Sequence, residues 1–302
     1  VVRERRQGKR LNVVKRDSGV SLSQEIKYNA PINISKGLPL LLPIKSDPAL
    51  VSEYSLEIFH ALLEKDASRV INPNYIDQQS ELSWSMRSIL IDWIVQVSFK
   101  FNLLPETLFL SINYLDTFLS LKPISVQKFQ LVGVTCLMVA SKFEEIYPPK
   151  MKEWIYSLNS SFSSTELTLA ERYFLKILNF NLCHSYTFHF LRRISSADGY
   201  SIAPRTLTKY LLELSLLDER FLKYTSSQVV AGCFALSYSL LKLEWTKKHE
   251  VLSGYSFNEI REISGLLLDL LKRPGLSDSF IVHKYSLNQY GGVSQWLQKM
   301  FY

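Results

Sequence analysis

Between Ser85 and Val97 the chain reads Ser-Met-Arg-Ser-Ile-Leu-Ile-Asp-Trp-Ile-Val-Gln-Val. At about 100° per residue, Ile89, Leu90, Ile91, Trp93, Ile94, Val95 and Val97 spread around nearly the whole circumference of a helix, where a surface helix carries a single apolar stripe. Such a segment needs neighbours on several faces, so it reads as the central rod of an all-helical domain. Arg87 and Asp92 lie inside it. A charge carried into a crowded helix must find a partner or stay at the rim.

The remaining segments fit that frame. Residues 1–49 are basic, then polar, with prolines at 31, 39, 43 and 48 and no sustained period, and read as tail and linker. Ser52 to Asp66 is a short amphipathic helix that Asn72-Pro73-Asn74 interrupts. After the rod, Pro105 opens a helix to about Leu119, with proline at a tolerated early position, and Ser125 stands at the cap position of the next, which holds Gly133, Ala140 and Ser141. Met151 to Tyr156 and a segment that Ser164 caps, running through Leu178, complete five helices. The pattern then recurs over Thr187–Ile194, Pro204–Glu219, Ser226–Leu241, Lys247–Leu252 and Phe257–Leu271, with Gly232 following Gly133 at a spacing of 99. A duplicated five-helix unit is the economical reading, the N-terminal helix and first unit occupying 50–182 and the second unit with a C-terminal segment 183–302. Alternating runs bounded by turn pairs, the mark of strands, are absent.

Charge narrows the function. Of the net +7, Val1 to Arg16 holds seven Lys or Arg against one Glu, so the body is close to neutral. A broad phosphate-binding face needs clustered basic side chains, which places any nucleic-acid contact or import signal in the tail, where Arg3 to Arg10 is the candidate. The most apolar run, Leu131 to Ala140, is about half the ~20 residues of a membrane span. No signal peptide follows the basic start. The chain does not begin with Met and reads as a fragment. Cys136, Cys183 and Cys233, an odd number, read as reduced, buried thiols.

No constellation for catalysis emerges. The five histidines are scattered, and Cys183-His184 with His189 lacks a second pair at metal-ligand spacing, so no metal and no cofactor is expected. No glycine-rich phosphate loop occurs. Glu144-Glu145 is an adjacent carboxylate pair, and sequence neighbours splay on a helix toward solvent.

The opening stretch, together with Asn113-Tyr114-Leu115-Asp116-Thr117-Phe118-Leu119-Ser120, Leu131-Val132-Gly133 and Ala140-Ser141-Lys142-Phe143-Glu144-Glu145-Ile146-Tyr147-Pro148-Pro149, resembles the cyclin box. Phe190-Leu191-Arg192-Arg193 and Tyr210 to Asp218 resemble the second half of B-type, mitotic cyclins, and the likeness runs from about Glu53 to Tyr290. It implies two tandem five-helix cyclin folds behind an N-terminal helix. It also implies a non-catalytic subunit that binds and activates a cyclin-dependent serine/threonine kinase as a heterodimer, in nucleus and cytoplasm, and drives the cell cycle through G2/M and S phase.

The resemblance assigns roles. Lys142 and Glu171 match the pair that grips the backbone of the kinase's regulatory helix, with Phe143, Phe180, Leu182 and Ile58 as apolar contacts to that helix. Arg87 and Asp116 match an internal ion pair. Met86, Leu90, Trp93, Gln96, Phe129 and Gln130 match a shallow patch that docks Arg-x-Leu motifs of substrates and inhibitors. Gln96 stands where S-phase-type cyclins have Glu, which turns a charge-assisted bond to the peptide's Arg into a neutral one. Phe129 for Leu, Thr117 for Arg and Lys150 for Glu are further departures, and no Arg-x-x-Leu destruction motif occurs in the first fifty residues. The rival reading is a cyclin-fold transcription factor that contacts DNA, which the near-neutral body disfavours.

Overall fold

The computed structural model describes residues 52–158, 161–184 and 187–301, and these fold without strands. The tail over residues 1–49, with its basic run, lies outside the described residues. A 3-10 turn at Ser52–Tyr54 leads into α1 (Ser55–Ala67). The first box is α2 (Trp84–Lys100), α3 (Pro105–Leu121), α4 (Val126–Glu144), α5 (Met151–Ser157) and α6 (Ser164–Ile177). The second is α7 (Thr187–Ser195), α8 (Ile202–Ser215), α9 (Ser226–Leu240), α10 (Lys247–Ser253) and α11 (Phe257–Leu271). Two helices absent from the sequence reading follow: α12 (Phe280–Ser286) and α13 (Val293–Phe301). Among the described residues no helix is long and apolar enough to cross a membrane.

Helix starts follow local chemistry. The Ser83 hydroxyl accepts from the Met86 N–H and begins α2. For α6 the cap is Ser163 rather than Ser164, because only Ser163 has Glu166 three residues on to close a reciprocal capping box. Ser125 precedes α4, yet its hydroxyl takes no cap bond; the Glu81 carboxylate, 45 residues earlier, accepts from the Val126 N–H instead. The helix expected to run to Glu219 ends at Ser215, since the Asp218 carboxylate accepts from the Arg220 N–H and starts a separate turn there.

In each box the third helix is the hub. Eleven residues of α4 and eleven of α9 are buried, more than any one side of a helix can supply. The two glycines meet different neighbours: a Cβ on Gly133 would lie 2.9 Å from Leu90 of α2, and one on Gly232 would lie 2.5 Å from Ile263 of α11. Their spacing of 99 differs by one residue from that of the caps Ser125 and Thr225, and one residue turns a helix face by about 100°.

Carboxylates of the N-terminal half cap helices of the C-terminal half. Asp66 at the end of α1 accepts from the N–H groups of Ser226 (3.1 Å) and Ser227 (2.7 Å), capping α9. Asp92 accepts from Phe280 (2.9 Å) and Ile281 (3.4 Å), capping α12. Both place negative charge at a helix N-terminus, where the dipole and the unpaired N–H groups favour it. Asp92 thus has its partner, on a helix 188 residues downstream.

Candidate functional site

Three groups of residues emerged from the sequence, and the structure treats each differently. The first is the ion pair. Arg87 is 2 % and Asp116 3 % exposed, and the guanidinium grips the carboxylate through two parallel bonds of 2.8 Å, Nε to Oδ1 and Nη2 to Oδ2. Tyr75, wholly buried, donates its hydroxyl to Oδ1 at 3.0 Å. Burial alone would lower the Arg87 pKa; Asp116 outweighs it, and the guanidinium is held above its ordinary value. Burial, then the Asp116 charge, pushes the Tyr75 phenol up, so it remains a donor. A third bond, from Arg87 Nη1 to the Leu216 carbonyl at 2.9 Å, crosses into the second box.

The second group surrounds Lys142 and Glu171. Lys142 ends α4 and Glu171 lies midway along α6, and the ammonium reaches both carboxylate oxygens, at 2.7 and 2.9 Å. The pair sits at the surface, with the Lys142 side chain 45 % exposed. Phe143 and Ile58 are exposed, and Phe180 is 69 % exposed on a turn rather than in the core. Asn179 and Phe180 close α6 with positive φ, 49° and 56°, and the Phe180 N–H bonds the Leu175 carbonyl. A bulky residue in the left-handed region is strained, and such strain persists where the surroundings enforce it. Here it keeps an aromatic ring in solvent. Leu182 is half-buried, its carbonyl accepting from the Tyr114 hydroxyl at 2.8 Å. Glu145, read as a solvent-facing member of a carboxylate pair, accepts from the Leu104 N–H (2.7 Å) and the Thr107 hydroxyl (2.6 Å).

The third group, on α2 and α4, is only partly an open surface. Met86 and Trp93 are half-buried and Gln96 and Gln130 exposed, but Leu90 is 7 % and Phe129 6 % exposed. Leu90 is spent on filling the space above Gly133. Ile89, counted among the residues of an enclosed circumference, is 71 % exposed and completes the outward strip with Met86 and Trp93. The missed signal was the spacing: Met86, Ile89 and Trp93 follow the i, i+3, i+7 order of one face as well as Met86, Leu90 and Trp93 do.

Cys136 and Cys233 are buried, and burial pushes both thiols well above their ordinary range, while Cys183 is exposed, contrary to the reading of three buried thiols. It follows α6 on an open segment, where no helix neighbour covers it. Among the described residues no three His, Cys, Asp or Glu side chains gather closely enough to hold a metal ion.

This architecture has known counterparts. Residues 57–183 match the cyclin N-terminal domain and residues 186–299 the cyclin C-terminal domain. The chain belongs to the cyclin family. Its relatives include the G2/mitotic-specific cyclin-B of Emericella nidulans, 41 % identical over 258 residues that make up 84 % of this chain and 54 % of that protein. The G2/mitotic-specific cyclin cdc13 of Schizosaccharomyces pombe is 39 % identical over 259 residues, 84 % of this chain and 54 % of that one. The chain thus spans about half the length of the curated relatives it matches. In fold, this cyclin resembles a viral cyclin from herpesvirus saimiri (TM-score 0.59, 20 % identity, 72 % of this chain and 96 % of that one). It also resembles a chain of the yeast RNA Pol II CTD kinase CTDK-1 complex (TM-score 0.52, 12 % identity, 63 % and 65 %).

Proposed function

We propose that this cyclin is the non-catalytic regulatory subunit of a cyclin-dependent serine/threonine kinase, which it binds as a heterodimer and activates to control passage through G2/M, with a further role in S phase. The observation that carries the reading is the Lys142–Glu171 pair, its lysine 45 % and its glutamate 16 % exposed, beside solvent-facing Phe143 and Phe180, on a chain whose two domains both match the family. A charged pair that only stabilised the fold would gain little at the surface. A donor at the end of α4 held beside an acceptor from the middle of α6 suits the backbone of a partner helix, and the flanking rings supply apolar area.

In this mechanism Lys142, Glu171, Phe143, Phe180, Leu182 and Ile58 hold the kinase's regulatory helix and turn it inward. That movement completes the kinase's Lys–Glu pair and orders its activation segment, the placements on which phosphoryl transfer depends. A lasting contact of this kind buries more than the ~1,600 Å² of a standard interface. The strip on α2 recruits substrates and inhibitors through short motifs, of which Arg-x-Leu is the class the family resemblance implies. The complex works in nucleus and cytoplasm. The test is a kinase assay with the partner pulled down by this chain. Lys142→Ala with Glu171→Ala should abolish activation while the chain melts normally; activation that survives both substitutions refutes the assignment.

A further inference from the structure

The α2 face that carries Met86, Ile89 and Trp93 does not end with them. Gln96 and Lys100 extend it, because positions 86, 89, 93, 96 and 100 follow the three-and-four spacing of one helical face. Both are exposed, and the Lys100 ammonium sits 4.8 Å from the centroid of the Tyr156 ring, which is 71 % exposed on α5. Lys152, also exposed, lies one turn before Tyr156 on the same side of α5. An apolar strip therefore runs into a cationic end.

Three carboxylates on or next to these two helices are engaged elsewhere. Asp92, the one acidic residue of α2, is turned to the N–H groups of Phe280 and Ile281. Glu153 folds back on the Lys150 N–H, and Glu145 holds Leu104 and Thr107. An arginine laid along the strip would meet a neutral amide at Gln96 and then a like charge at Lys100.

We propose that this strip docks a short extended peptide whose apolar side chains settle on Met86, Ile89 and Trp93 and whose flanking charge is acidic, held by Lys100 and Lys152. The inference rests on the docking role given to α2 above and replaces Arg with Asp or Glu as the polar half of the motif. Lys100 lies seven residues beyond Trp93, about 10 Å along the helix axis. An extended peptide covers that distance in about three residues. Charges at the rim of an interface select partners and raise association rates, and like charges brought together exclude the wrong ones.

Two fluorescent peptides test it, identical except for Glu or Arg placed three residues from a Leu-Phe anchor, titrated by anisotropy with the full 302-residue chain. The Glu peptide should bind at least about fivefold more tightly at low salt, with the difference shrinking as salt screens the rim. Lys100→Glu should reverse the order without changing the melting curve, and Ile89→Ala should weaken both peptides. Equal affinities, tighter binding of the Arg peptide, or no binding of either overturns the proposal. Kinase activation is measured on the same preparations: intact activation without the expected peptide order defeats this inference alone, whereas absent activation defeats the functional reading.

Discussion

Asp116 in the first box and Glu213 in the second are each the twelfth residue of their box's second helix, each buried, and each met by a tyrosine hydroxyl and a cation. In the first box the partners are Tyr75 and Arg87. In the second, Tyr285 donates to Glu213 at 2.9 Å, and Lys284 reaches both carboxylate oxygens at 2.7 and 2.9 Å. The repeated unit keeps the inward carboxylate and changes the source of the cation. Arg87 comes from the first helix of its own box, whereas Lys284 comes from α12, beyond the five helices of the second. The cations also differ in kind. The planar guanidinium has donors to spare and binds Leu216 across the box boundary, while the ammonium is a point charge, used up locally. The first box takes its cation from its own helices and its tyrosine from the turn that precedes α2, whereas the second takes both from the segment that follows it.

The contrast can be broken by removing each cation in turn. Arg87→Ala leaves Asp116 buried without its partner and cuts the bond to the second box. It should destabilise the chain by about 3–5 kcal/mol and abolish the proposed kinase activation through loss of fold. A variant that melts like the parent yet fails to bind kinase would reassign Arg87 to the interface. Lys284→Met should cost slightly less, about 2–4 kcal/mol, and adding Glu213→Leu should restore most of it, because a buried pair replaced by apolar groups of similar volume is near neutral. If the double variant is as unstable as the single one, Lys284 does more than neutralise Glu213.

Acid sharpens the comparison at the segment between the two matched domains. His184 stacks edge-on against Tyr114 at 5.6 Å, and burial, then Arg69 and Lys65, lowers its pKa from 6.5 to about 4. The folded chain keeps it neutral, so the unfolded chain takes up the proton first as pH falls. Its contribution is present in full above about pH 6.5 and lost progressively down to about 4. Urea melts at pH 7 and pH 5 should differ by an amount on the order of 1–2 kcal/mol that His184→Gln removes. A variant that keeps the whole pH dependence assigns it to other groups. The smallest effect on stability belongs to the pair with the solvent-facing lysine: replacing Lys142 and Glu171 should shift it by less than about 1 kcal/mol. A larger loss in a thermal melt would make the pair a structural one.

How much of this was legible follows from the range of each interaction. The capping boxes of α6 and α11 close within three residues, and both helices were legible, with the α6 cap read one residue late. The Arg87–Asp116 pair was legible through family likeness, with Tyr75 as its third member missed, since a tyrosine in a polar turn carries no signal of its partner. The helices α12 and α13 were missed although α5, α7 and α10 of the same lengths were read; the start of α12 is capped in part by Asp92, 188 residues away, which leaves no local signal.

The sequence by itself determined that this protein is a doubled set of helices, through apolar periods, caps and glycines that act over a few residues. It also placed Lys142 and Glu171, 29 residues apart, on one surface, by resemblance. Only the tertiary structure decided which side of α2 is left in solvent. Leu90 and Ile89 are neighbours with the same affinity for apolar surroundings, and the step of about 100° between them puts one against Gly133 and the other outside. It alone decided, too, that Asp66 and Asp92 cap helices 160 and 188 residues away. A carboxylate's local sequence cannot announce an N–H that only folding brings within 3 Å.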